Sequence, residues 1–280
     1  MAVDFLYIGP DKAGSTWLDN VLREHPCVNL PRSKELFYFD RYYDLGAEWY
    51  ESQFKSPESK GLLRRGEISH DYLFSAIAAK RIYEYNPDIK LIVNLRNPVE
   101  RAVSSYKYLR LQGRTRMPFS SAVRELPEII DHGRYFHHVE TYLGYFDRSQ
   151  IFLGDFDTLK NDPRRYIGQL LAHIGLTADC DLKLESSQRN ESREARAPRL
   201  ISSLRIIADY ARAVGRPEIV AAVKNNRLVS GLLFSRAVQN EDEAICESDL
   251  KYIRSVLYSD VESISGLASV DYLEKWGFNK

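Results

Sequence analysis

Hydrophobic positions in the first two thirds of the chain alternate between short apolar runs and stretches where they recur every three or four residues. "VDFLYIG" is a run closed by glycine, and from Ser15 to about Glu24 the residues Trp17, Leu18, Val21 and Leu22 share one helical face, which predicts a strand, a loop and a helix. "GLLRRGEIS" predicts a weaker second strand, "AIAAKRIYEYNP" a helix stopped by Pro87, and "IKLIVNLR" a third strand whose unbroken apolar run fits burial on both faces. "NPVERAVSSYKYL" puts Pro98 at a first helical position and Glu100 in the first turn. The unit then repeats as helix "YFHHVETYLGYF", strand "QIFLGDF" and a helix from about Pro163 to His173. Strands separated by helices imply parallel pairing through crossovers. After about Cys180 the strand pattern gives way to a polar loop, "SSQRNESREARAP", and several helices ending near "YLEKWGF". With no Gly, Ser or Pro linker to divide it, the expected architecture is a single α/β domain over residues 1–280. A three-layer core occupies about 1–176, and extra C-terminal helices over about 180–280 cover the cleft.

Composition narrows the partners. With 39 basic and 39 acidic residues there is no global field to gather nucleic acid or an anionic membrane, so any anion must be held by local clusters. No segment reaches the roughly 18 apolar residues of a membrane span, and "MAVDFLYIG" lacks a basic n-region, so the expectation is a cytoplasmic protein without membrane or nucleic-acid partners. Cys27, Cys180 and Cys246 are scattered and odd in number, which predicts buried reduced thiols rather than disulfides or a zinc site.

Candidate chemistry begins at "YIGPDKAGSTWL". Gly9, four residues and Gly14 fit the frame of a phosphate-cradling P-loop, but Ser15 stands where its lysine belongs and Lys12 lies three places earlier. A glycine-framed loop between a buried strand and a helix aims backbone N–H groups at one point, and the helix dipole favours an anion there. Gly14, Ser15, Thr16 and Trp17 supply those amides, Ser15 and Thr16 add hydroxyls, and Lys12 projects from the loop itself. This predicts a P-loop-like fold. A nucleoside-triphosphate site needs a strand-end carboxylate for Mg²⁺, whereas "LIVNLRN" ends in Arg96, a guanidinium fork that attracts a second anion and repels a metal ion. Two anion sites at adjacent strand ends point to a nucleotide with phosphates at separated positions, and Ser104, two helical turns beyond Arg96, stands ready to donate to the second.

"GPDKAGSTWL" resembles the 5′-phosphosulfate loop, and "LRNPVERAVSSY" the 3′-phosphate motif, of sulfotransferases that use 3′-phosphoadenosine 5′-phosphosulfate (PAPS). "KELFYFD" resembles a segment of their heparan-type branch, and "YLGYFDRSQIFLGDFDTLKNDPRRYIGQLLAHIGL" a late helix-strand-helix unit, so the likeness covers roughly residues 3 to 176. It implies that Lys12 contacts the phosphosulfate bridge, that Ala13, Gly14, Ser15, Thr16 and Trp17 hold the 5′-phosphate, and that Arg96 and Ser104 hold the 3′-phosphate. A late basic loop, with Arg193 and Arg196, would close over the adenine. The implied reaction moves a sulfuryl group without a metal to a hydroxyl, less readily an amine, of a small-molecule, glycan or secondary-metabolite acceptor, leaving 3′,5′-bisphosphoadenosine (PAP). The oligomeric state stays open.

For the base that takes the acceptor proton, two residues compete. Glu35 matches the glutamate of the heparan-type branch, while His70 falls where cytosolic aryl and steroid sulfotransferases carry a histidine. Glu67, Asp71 and Phe37 are placed to orient the acceptor. The family commonly has a lysine two residues before the position of His70, where this chain has Ile68; Lys34, Arg32 or Arg65 are candidates to replace its charge. Two alternatives remain: a P-loop nucleotide kinase with an unusual loop, and a non-catalytic relative that retains adenosine bisphosphate.

Overall fold

The structure, a computed structural model, describes residues 2–54, 63–177, 193–195, 198–220, 234–236 and 245–278, with backbone alone at 193–195, 198–205 and 234–236. Five strands form one parallel sheet: β1 (Phe5–Gly9), β2 (Val28–Asn29), β3 (Arg64–Ile68), β4 (Lys90–Leu95) and β5 (Ile151–Asp155), in the order β2-β3-β1-β4-β5. Alternation along β1 sends Phe5 and Tyr7 to one face and Leu6 and Ile8 to the other, and all are buried. On the first face lie α1 (Ser15–Glu24), through Leu18, Val21 and Leu22, and α9 (Pro163–His173), through Ile167, Leu170 and Leu171. On the second lie α3 (Ala76–Tyr85), α4 (Pro98–Leu111) and α7 (Tyr135–Leu143). Burial on both faces explains why the strands read as unbroken apolar runs.

The order reverses at β1, which has β3 on one side and β4 on the other. Open parallel sheets bind ligands outside the carboxyl ends of such strands. The loop after β1 carries Lys12 and the turn after β4 carries Arg96, so topology alone makes them neighbours. β1 also slips register against β4 between Tyr7 and Gly9, a bulge that re-aims the chain as it enters the loop. Beyond β4, Asn97 caps α4 by accepting from the Val99 amide at 3.0 Å, with Pro98 at the first helical position.

Several elements depart from the sequence pattern. α2 (Gly46–Ser52), α5 (Phe119–Glu125), α6 (Pro127–Asp131) and α8 (Phe156–Asn161) are short, and the two-residue β2 has no periodicity to read. The part expected to be helical after residue 180 also contains an antiparallel pair, β6 (Arg193–Ala195) with β7 (Phe234–Arg236), joined by backbone bonds that leave no local signature. Around it run α10 (Pro198–Ala213), α11 (Glu247–Ala268) and α12 (Tyr272–Lys275). Ile253, Leu257, Val261 and Ile264 of α11 belong to the main core, packed with α4 and α7. Asp260 of α11 accepts the Phe136 and His137 amides at 3.0 and 2.9 Å, which satisfies the amino end of α7. Cys27 is half-buried and Cys246 exposed, so the expectation of buried thiols holds for neither; Cys180 lies outside the described residues.

Gly66, in the middle of β3, is pressed against the Phe5 ring: a Cβ there would lie 2.0 Å from Phe5 Cζ. Phe5 has no exposed surface into which to retreat. Gly66→Ala is expected to lower unfolding free energy by about 3 kcal/mol, at the upper end of overpacking costs, in urea melts followed by circular dichroism.

Candidate active site

The loop after β1 is held from behind by its carbonyls. Tyr7 Oη donates to Pro10 O at 2.7 Å, Arg96 Nη1 to Lys12 O at 2.8 Å and Asn94 Nδ2 to Ala13 O at 2.7 Å. Asn94 is itself oriented by Tyr166, whose hydroxyl donates to Asn94 Oδ1 at 2.6 Å. With the carbonyls engaged inside, the amides at the start of α1 face the cleft, where the helix dipole favours an anion. Gly14 precedes the helix at φ 89°, and a Cβ there would meet Leu159 Cδ1 at 3.0 Å. Lys12 is also left-handed, at φ 61°, a strained setting for lysine. Its ammonium lies 4.4 Å over the Tyr108 ring of α4. Burial, together with the cations Arg96, Arg101 and Lys34, draws its proton affinity below the ordinary lysine value, and Asp11 opposes them. Ala13 and Ser15 are buried under the loop, while the Trp17 ring packs edge-on against Tyr166 at 6.0 Å.

Of the three cations named as candidates to offset Ile68, Lys34 is the one that reaches the loop after β1. Its Nζ donates to Ser15 Oγ at 3.0 Å and to Thr16 Oγ1 at 3.3 Å, and stands 3.8 Å from Glu35 Oε1. Ile68 is packed into the core, Arg65 sits three residues upstream on the same strand, away from its carboxyl end, and Arg32 is exposed.

Arg96 joins the two strand-end loops. Besides binding Lys12 O, its guanidinium pairs with Glu100 at 3.3 Å and stacks 4.8 Å over Phe156, while Tyr135 Oη donates to its carbonyl at 2.7 Å. Its Nε is buried and has no hydrogen-bond partner among the described residues. Ser104 lies on α4 one turn from both Arg101 and Tyr108, each of which contacts the loop, so it occupies the same side. Arg101 has no exposed surface; its Nη1 pairs with Asp11 at 3.2 Å and its Nη2 donates to the carbonyls of Glu128 and Ile129. His132 Nδ1 reaches the same Asp11 oxygen at 3.1 Å and stacks 3.6 Å from Phe74. Burial pushes the Asp11 carboxyl up, but His132 and Arg101 outweigh it and hold it below the usual carboxylate range.

On the other side of the loop, Glu35 at φ 62° and Phe37 at φ 54° bring a second strained segment to the cleft. The Glu35 amide donates to Ile68 O at 3.1 Å. His70 lies between two carboxylates, with Nδ1 3.3 Å from Glu35 Oε1 and Nε2 3.2 Å from Asp71 Oδ1, and Asp71 pairs in turn with Arg41. Phe37 packs edge-on against the His70 ring, with guanidinium groups over it from Arg41 at 4.2 Å and Arg212 at 5.2 Å. Arg212 comes from α10, which also receives a bond from Trp49 Nε1 to Gly215 O at 2.9 Å just past its end. Arg193 lies in β6 with only its backbone described, and Arg196 lies outside the described residues.

A family model described as Sulfotransferase domain matches residues 3–198, well over half of the chain and all of the loops above up to Asp155. The chain belongs to the sulfotransferase domain family. Among curated relatives, membrane-associated sulfotransferase kil1 of Dictyostelium discoideum is 34% identical over 146 residues, covering 47% of this chain and 31% of that protein. Heparan sulfate glucosamine 3-O-sulfotransferase 6 of Mus musculus is 32% identical over 190 residues, covering 61% and 52%. The chain thus spans about half or less of the length of the curated relatives it matches. A crystal structure of a sulfotransferase from Alicyclobacillus acidocaldarius superposes with a TM-score of 0.59 at 26% identity, covering 79% of this chain and 96% of that one. The parallel sheet flanked by helices is that of the sulfotransferases.

Within the sulfotransferase frame, one expected acceptor contact is corrected. Glu67 does not face the cleft: it is fully buried, and its carboxylate accepts from the Leu36 amide and from the hydroxyls of Ser69, Tyr50 and Tyr72. It fixes the segment carrying Glu35 and Phe37 from below. Burial pushes its carboxyl up to about 7 against the pull of those donors. Because the folded value exceeds the ordinary 4.5, the native state binds the extra proton, and this contribution to stability is present below about pH 4.5 and lost as pH rises through 7. The excess unfolding free energy of wild type over Glu67→Gln should therefore shrink between about pH 4.5 and pH 7.5 in paired urea titrations. A gap that widened with pH would contradict the assignment.

Proposed function

We propose that the protein transfers a sulfuryl group from PAPS to a hydroxyl of a glycan or small-molecule acceptor. One observation carries the reading: Arg96 bonds the backbone of Lys12 at 2.8 Å, so an ammonium site and a guanidinium site are held as one unit across the sheet's switch point. That arrangement suits a nucleotide with phosphates on separate ribose positions, with the Arg96 guanidinium beside one of them. The amides of Gly14 to Trp17 would hold the 5′-phosphate, and Arg96 with Ser104 the 3′-phosphate. The donor supplies an electron-poor sulfuryl group that is loosely bonded at the transition state, so the protein's part is alignment and charge stabilisation.

Lys12 and Lys34 flank the start of α1 and meet the charge that collects on the 5′-phosphate as its bridging oxygen parts from sulfur. In the proposed reaction ammonium groups and the helix dipole perform that task, with no metal required. Glu35 takes the acceptor proton: its carboxylate lies 3.8 Å from Lys34 Nζ, which touches Ser15 and Thr16, so a short chain of contacts connects base and donor loop. A sugar hydroxyl is the first acceptor to test, since the mouse relative is named for transfer to glucosamine. The nucleotide-kinase alternative is not favoured: the carboxylate at the end of β5, Asp155, binds Thr158 and, at 2.6 Å, Lys275.

The test combines binding and turnover. PAP should bind more tightly than AMP by calorimetry, and Arg96→Ala should weaken PAP about 10- to 100-fold, the range for hydrogen bonds to a charged group. Lys12→Ala should lower turnover of labelled PAPS with a glycan acceptor by about 10²- to 10³-fold, as when a transition-state donor is removed, while changing PAP affinity far less. Equal affinity for AMP and PAP would sink the reading.

A further inference from the structure

Both nitrogens of the His70 ring face carboxylates at ion-pair distance, although Nδ1 is buried without an aligned hydrogen-bond partner among the described residues. Glu35 Oε1 lies 3.3 Å from Nδ1 and Asp71 Oδ1 3.2 Å from Nε2. An ionised carboxylate only accepts hydrogen bonds, and a neutral imidazole has one nitrogen without a proton, which would here face a carboxylate lone pair. The doubly protonated ring turns both contacts into attractive ion pairs. The setting is rigid. The Ser69 amide donates to Tyr7 O at 3.0 Å, and the His70 carbonyl is so close to Gly9 that a Cβ there would lie 2.6 Å away. Phe37 abuts the ring edge-on, and Arg41 and Arg212 clamp Phe37.

Resting on the sulfotransferase reading, we propose that His70 is a positioning cation and not the base. Its imidazolium holds Oε1 of Glu35 by charge, leaves Oε2 to take the acceptor proton, and adds a second positive charge beside Lys34 at the end of β3. The proton balance is simple. The acceptor O–H gives its proton to Glu35, the acceptor oxygen bonds to sulfur, the bond from sulfur to the 5′-phosphate oxygen breaks, and His70 keeps both of its protons throughout.

The charged groups facing His70 agree in sign. Glu35 and Asp71 touch it, and Asp11, across the end of β1, adds to their field; Arg41 is spent on Asp71, Lys34 leans on Ser15 and Thr16, and Arg212 reaches the ring only through Phe37. Burial alone would discharge the imidazole, but these acids outweigh it and hold its proton affinity above the ordinary histidine value of 6.5.

The decisive experiment needs no acceptor. Imidazole ¹⁵N spectra of the full chain, with and without PAP, should show both His70 nitrogens protonated at pH 7, and Glu35→Gln or Asp71→Asn should each lower its titration midpoint. A His70 that is neutral at pH 7, with one bare nitrogen, overturns the proposal. Turnover of PAPS against pH gives the second arm: His70→Gln should keep the acid limb, lose the alkaline limb and cost about 10-fold in plateau rate, whereas Glu35→Gln should cost about 10²- to 10⁴-fold. Loss of the acid limb in His70→Gln would make histidine the base and refute the proposal. Failure of PAP to bind strikes the sulfotransferase reading instead, and the spectra still decide the protonation of His70.

Discussion

The site depends on the way the backbone after β1 is turned, with the carbonyls of Pro10, Lys12 and Ala13 bonded into the protein by Tyr7, Arg96 and Asn94. Backbone groups in a loop must find partners, and when the acceptors find theirs inside, the donors are left for a ligand. The conformation is strained at Lys12 and possible at Gly14 only because no Cβ meets Leu159. Three buried or half-buried side chains hold it, and two of them lie on β4 or at its end. The loop's shape is thus a consequence of β1 and β4 being neighbours in the sheet.

That arrangement concentrates positive charge. Lys12, Lys34, Arg96 and Arg101 converge, and the first of these already loses proton affinity through burial and its neighbours. Such a cluster opposes folding unless acids are interleaved. Asp11 between Arg101 and His132, Glu35 beside Lys34, and Glu100 beside Arg96 supply them. Asp11 also ties the loop after β1 to the helix after β4 through the fully buried Arg101.

The donor half was legible in the sequence because local signals carried it: an apolar run, two glycines, a helix, then a second apolar run ending in arginine and a capped helix with Pro98. Arg101 was not singled out, although a guanidinium on the apolar side of α4, among Val99, Ala102, Tyr106 and Leu109, is itself a signal that it must find a buried acid. Glu67 was misread for a related reason: a strand-end acid looks exposed until Tyr50 and Tyr72, from two other segments, are seen to enclose it. Choosing Lys34 over Arg65 required knowing which end of β3 faces the cleft, and β6 with β7 depends on pairing across about forty residues.

The two halves of the site are held by different physics. The loop after β1 is fixed by side chains of β1, of β4 and of the turn after β4 bonded to its carbonyls, so its shape follows from the sheet. The acceptor side is assembled from side chains of separate segments: Phe37 pressed on His70 and capped by Arg41 and, from α10, Arg212. Arg212 lies beyond residue 198, where the family match ends. Loops and peripheral helices can vary without disturbing a core, and here α10 reaches the cluster around Phe37 and His70. The loop after β1 and the cluster around Phe37 are therefore held by separate sets of contacts, the second partly from α10.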